Sequence, residues 1–114
     1  MQILSGVVSY DEGDAKWTLD TSNPAARTVL HTVDFLPPFE DAPDVVVAIN
    51  KFEFPEQTAQ KFSVSVHERF ATYCVLAFHA WDGSIVESAG ASWIAYGDAG
   101  DEDEELEATE TMGE

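Results

Sequence analysis

Apolar and polar side chains alternate one for one in six short stretches, and this spacing constrains the fold more than any other feature of the chain. A period of two sends successive side chains to opposite faces of an extended backbone, so one face can be buried while the other meets water. Six strands are predicted on this basis: Gln2–Tyr10, Val29–Leu36, Asp44–Phe54, Lys61–Arg69, Tyr73–Trp81 and Ala89–Tyr96. In Val29–Leu36, the residues Val29, His31, Val33 and Phe35 point one way and Leu30, Thr32 and Asp34 the other. Phe62, Val64 and Val66 face inward in the fourth strand, with Lys61, Ser63, Ser65 and His67 outward. The run Val45–Ile49 is expected to be buried on both faces, and Gly6 is a candidate bulge in the first strand.

The segments between the strands carry turn chemistry. "DEGDAKWTLDTSNPAA" reads as a long loop, and "LPPFEDAP" holds three prolines that no strand interior tolerates. No segment of the body longer than ten residues keeps a helical apolar stripe. Six short strands separated by turns predict an all-β, six-stranded antiparallel β-sandwich over residues 1–97, followed by an acidic C-terminal tail over residues 98–114. The 114 residues are enough for one domain to close a core without a disulfide, and the single cysteine, Cys74, is expected in that core.

Charge excludes several partners. There are 22 acidic and 5 basic residues, a net charge of −17. Nine of the acidic residues lie between Asp98 and Glu114, yet the remaining body still carries thirteen acidic against five basic. Phosphate recognition needs a basic patch, so nucleic acid is excluded as a partner, as are anionic membranes. Two readings fit the charge: an acidic protein with a solvated tail, or a protein of a high-salt organism, where a Debye length of about 3 Å screens self-repulsion. The sequence shows no apolar run of membrane-spanning length and no secretory signal, so synthesis in the cytosol and no membrane insertion are expected.

Catalytic signatures do not appear. There is no G-x-S-x-G, no phosphate loop and no dinucleotide fingerprint. His31, His67 and His79 each sit alone in a strand, so neither a metal site nor a cofactor is expected. A binding or assembly module is expected rather than an enzyme.

The order of "SGVVSY", "HTVDFLPPFEDAPDVVVAINKFEF", "KFSVSVHERFATYCVLAFHAWDGS" and "ASWIAYG" resembles the H-type lectin domain family. That family includes a snail agglutinin specific for N-acetylgalactosamine and the C-terminal domain of the discoidins. The resemblance covers residues 4–97. It implies a β-sandwich that assembles as a trimer, with sugar sites at one end near the boundaries between protomers. Its ring-stacking tryptophan falls on Trp81, its sugar-binding arginine on Lys61, and the histidine after the tryptophan on Asp82. The aromatic residue near the last strand falls on Glu87. The sugar-reading aspartate of the first long loop falls near Pro24, with Asp20, Ser22 and Asn23 close by. The resemblance therefore implies a carbohydrate site of Trp81, Lys61, Asp82, Glu87, Asp20 and Asn23 that keeps the stacking ring and alters the polar groups around it.

Trp93, among small and apolar neighbours, is expected in the core. Trp17 either packs across the sandwich edge or lines the same site as Trp81. Two uses of the scaffold stand side by side. One is a trimeric module that binds a cell-surface glycan, extracellular or on a virion surface. The other is a structural part of a virus head or tail, contacting other particle proteins through the acidic tail.

Overall fold

In the computed structural model, which describes residues 1–56 and 60–100, all regular structure is β. Six strands follow in order: β1 Gln2–Tyr10, β2 Thr28–Asp34, β3 Asp44–Glu53, β4 Phe62–Arg69, β5 Tyr73–Ala80 and β6 Ser88–Gly97. They form two three-stranded antiparallel sheets, β1-β6-β3 and β2-β5-β4, which pack face to face. The predicted six-stranded antiparallel sandwich is the fold of the chain, and the predicted strands match the observed ones to within a residue or two at their ends.

The alternation seen in the sequence is what builds the core. Val29, Val33 and Phe35 from the β2 region meet Cys74, Leu76 and Phe78 of β5 and Ala89, Ala91 and Ala95 of β6, all buried. Trp17 from the first long loop joins them at 2% exposure. Its indole N–H donates to Val86 O at 2.8 Å, which pins the long loop to the β5–β6 loop. Its ring stacks on Tyr10 with centroids 5.2 Å apart. Trp17 is therefore a packing residue. Cys74 is fully buried, and burial pushes its thiol pKa up, away from the reactive thiolate.

Two sequence expectations are corrected. Gly6 is not a bulge, because the β1–β6 register runs unbroken through the pair Gly6↔Trp93. A Cβ on Gly6 would stand 2.8 Å from Cζ2 of Trp93, so the glycine makes room for the indole. The register irregularities lie elsewhere, between Ile49 and Lys51 in β3 and between Val66 and Glu68 in β4. The run Val45–Ile49 is not buried on both faces either. Val45 and Val47 pack against the core, while Val46 is 56% exposed. The reason is the two-layer architecture: Val46 lies on the side of sheet β1-β6-β3 turned away from the other sheet, as does its β6 partner Ile94, also exposed.

Sheet β1-β6-β3 consequently carries an apolar outer face. Ile3 pairs with Tyr96, and Ile94 lies beside Val46 in adjoining rows. All four are exposed, as is Val7 further along β1.

The chain past Gly97 continues to pair. Phe39 and Ala99 form an isolated bridge, Glu40 N donates to Asp98 O at 2.9 Å and Gly100 N to Pro38 O at 3.2 Å. The rest of the expected acidic tail, residues 101–114, lies outside the described residues.

Antiparallel order fixes where the loops go. Connections 11–27, 54–61 and 81–87 leave β1, β3 and β5 at the same end of the sandwich. All six residues assigned to a site from the sequence belong to these three connections.

Candidate carbohydrate-binding end

Trp81 is the first residue beyond β5, where the chain leaves the ladder. The turn that follows is specified by its residues. Asp82 has φ 57° and Gly83 φ 69°, two successive left-handed residues. A type I′ turn needs this, and Asp and Gly supply it at low steric cost. Ser84 N closes the turn by donating to Trp81 O at 3.2 Å.

Ser84, which the sequence reading missed, holds the arrangement together. It is fully buried. Its hydroxyl donates to Trp81 O at 2.7 Å and accepts from Lys61 N at 2.9 Å. Its carbonyl accepts from Arg27 Nη1 at 2.8 Å, while Arg27 Nη2 donates to Thr21 O at 2.9 Å. Arg27 thus clamps the first long loop to the turn. A buried serine between an Asp-Gly pair and an apolar pair was the one available signal, and alone it is weak.

Trp81 N donates to Lys61 O at 3.2 Å, so the start of β4 lies beside the ring. Lys61 Nζ reaches Asp82 Oδ2 at 2.6 Å, and both side chains remain more than half exposed. An exposed pair of this kind adds only about 0–1 kcal/mol to stability. Its relevance is chemical: it presents a donor and an acceptor beside an aromatic ring. Trp81 itself is 39% exposed. Trp93, by contrast, packs against the core and lies 6.1 Å from Phe35, centroid to centroid.

Three of the six sequence-assigned residues, Trp81, Lys61 and Asp82, are therefore brought together. The other three share the same end but have other partners. Asp20 Oδ2 accepts from Gly13 N at 3.2 Å within its own loop. Asn23 Oδ1 accepts from Ala25 N at 3.0 Å, shaping the turn that precedes Arg27. Glu87 N donates to Glu53 O at 2.8 Å, where the chain rejoins the end of β3. Among the described residues, no hydrogen bond or ion pair joins Asp20, Asn23 or Glu87 to the Trp81 group. Among those residues there is also no group of three His, Cys, Asp or Glu side chains placed to hold a metal ion.

A second residue that the sequence did not assign to the site is His79. Its ring stacks on Trp81 with centroids 5.6 Å apart and planes 16° from parallel. Its Nδ1 lies 2.9 Å from Thr28 Oγ1.

Comparison with known proteins agrees with this architecture. The H-type lectin domain profile matches residues 30–96, more than half of the chain. The chain belongs to the H-type lectin domain family. Among solved structures it is similar to recombinant discoidin II of Dictyostelium discoideum, with a TM-score of 0.65 and 18% sequence identity. The match covers 82% of this chain and 36% of discoidin II, so it is a likeness of fold to one part of a longer protein. No curated protein sequence matches this one.

Proposed function

We propose that this chain is a carbohydrate-binding module that recognises a cell-surface glycan through the Trp81 end of the sandwich. The observation that carries the reading is Trp81, a partly exposed indole at a strand terminus with the Lys61–Asp82 pair beside it. Sugars are bound by an aromatic face under the ring and a few polar groups around its edge, and this end offers both. The departures from the family pattern at Asp82 and Glu87 favour a specificity other than N-acetylgalactosamine.

The module acts as a homotrimer or a multiple of three. The apolar outer face of sheet β1-β6-β3 supports assembly, since exposed contiguous apolar surface seeks a partner. The same face favours the second reading, a structural part of a virion that uses the assembled sandwich without binding sugar. A net charge of −17 suits an extracellular or virion-surface setting in a high-salt organism.

A glycan array probed in molar salt tests the proposal. Selective binding to a defined set of glycans is expected. A blank array, from protein shown to be folded and trimeric by light scattering, would transfer the case to the structural reading.

A further inference from the structure

We propose that His79 is a positioning residue that closes one face of the Trp81 indole, so that a ligand can stack only on the opposite face, at the end of the sandwich. This rests on the sugar-binding reading of that end. The geometry follows from strand alternation. His79 and Trp81 are two residues apart in the β5 direction and share the outer face of sheet β2-β5-β4. Their rings lie nearly parallel with centroids 5.6 Å apart, so the imidazole flanks the indole on the side of the preceding strand residues. Beyond the indole the chain enters the Asp82–Gly83 turn, where Lys61 pairs with Asp82 at 2.6 Å.

His79 is itself held. It pairs in register with Thr28 of β2 on one side and Ser63 of β4 on the other. The Thr28 hydroxyl at 2.9 Å from Nδ1 fixes the ring's orientation. Among the described residues, the charged pair at this corner is Lys61–Asp82. A tryptophan at a strand end has no following ladder residue to fix its χ angles, and a flat neighbour supplies that restraint. Pre-setting a ring in its binding orientation lowers the ordering cost of association. The consequence for the ligand is directional. A sugar enters along the strand axis, between the indole and the Lys61–Asp82 pair, and the rest of the glycan extends away from the end of the sandwich rather than across the face of the sheet.

Acrylamide quenching of Trp81 fluorescence, isolated by subtracting the matching Trp81→Phe protein, tests this without any ligand. With one indole face shielded by the imidazole, His79→Ala is expected to raise the quenching constant above the wild-type value. His79→Asn, which keeps a polar partner for Thr28 but no stacked ring, should rise equally. His79→Phe restores a flat ring and should stay at the wild-type value. Unchanged quenching in His79→Ala, or a rise in His79→Phe as large as in His79→Ala, would overturn the inference. Because this measurement uses only acrylamide, it decides the role of His79 separately from whether a glycan binds. On the array, the glycan signal should weaken about threefold to tenfold in His79→Ala, the range of one aromatic contact, and return in His79→Phe. An unchanged signal in His79→Ala, with quenching raised, would overturn the positioning role.

Discussion

The indole of Trp93 lies directly over Gly6, its cross-strand partner, and the place a Cβ would occupy is 2.8 Å from the ring. A glycine inside a strand usually weakens it, but here the missing side chain is the space the tryptophan fills. Gly6→Ala is therefore expected to lower stability by about 1–3 kcal/mol, the usual cost of overpacking, although alanine is the better strand former. Chemical denaturation measures it. A neutral or stabilising outcome would show that Trp93 can move aside freely.

Ser84 offers a second test. Its hydroxyl is the acceptor for the Lys61 amide and a donor to Trp81 O. Ser84→Ala leaves a part-buried amide without its partner, a loss of about 1–3 kcal/mol. Because the same hydroxyl ties Trp81 to β4, the variant should also shift the Trp81 emission spectrum. Full stability with an unchanged spectrum would contradict the role given to Ser84.

Stability should depend on pH through His31. Burial is the larger cause of its lowered pKa, and the Lys16 charge adds to it. The Tyr10 hydroxyl at 2.8 Å from Nδ1 occupies one ring nitrogen. With the folded-state pKa below the ordinary histidine value of 6.5, the unfolded chain takes up the proton first. The contribution is then full above about 6.5 and is lost as pH falls below it toward the folded-state value. Urea melts between pH 8 and pH 5 should show a steeper decline for the wild type than for His31→Gln. Parallel declines would contradict the assignment.

The acidic segment can be cut in two places. Pairing runs to Gly100, with Asp98 O and Gly100 N bonded to the Glu40 and Pro38 backbone. A chain ended at Gly100 is expected to melt like the full chain in molar salt, since residues 101–114 offer only Leu106 and Met112 as large apolar groups. A chain ended at Gly97 should melt lower, having lost both hydrogen bonds at about 0.5–1.5 kcal/mol each. Failure of the Gly100 chain to fold would show that the later residues belong to the core.

Strand positions were legible because period-two alternation is local, and Phe62, Val64 and Val66 against Ser63 and Ser65 need no tertiary knowledge. What escaped depends on which strand neighbours which. The exposure of Val46 follows from its lying on the outer face of a two-layer sandwich, and the role of Gly6 follows from its pairing with Trp93. At the candidate site, Trp81, Lys61 and Asp82 could be grouped because the family resemblance supplied their relation. Ser84 and Arg27 act through backbone carbonyls of loops distant in sequence, a kind of contact with no pattern of its own. His79 looked like one more strand residue until the stack with Trp81 was visible.

The central claim is that Trp81 binds a ligand rather than holding the fold, and Trp81→Ala tests it most directly when stability and glycan binding are measured on the same protein. Trp93→Ala serves as the comparison, with a loss of about 3–5 kcal/mol expected for a tryptophan packed on the core. Trp81, 39% exposed at a strand end, should cost far less than that. The account predicts a folded Trp81→Ala protein whose signal is lost on every glycan the wild type binds. A folded variant with undiminished binding, or a stability loss equal to that of Trp93→Ala, would contradict it.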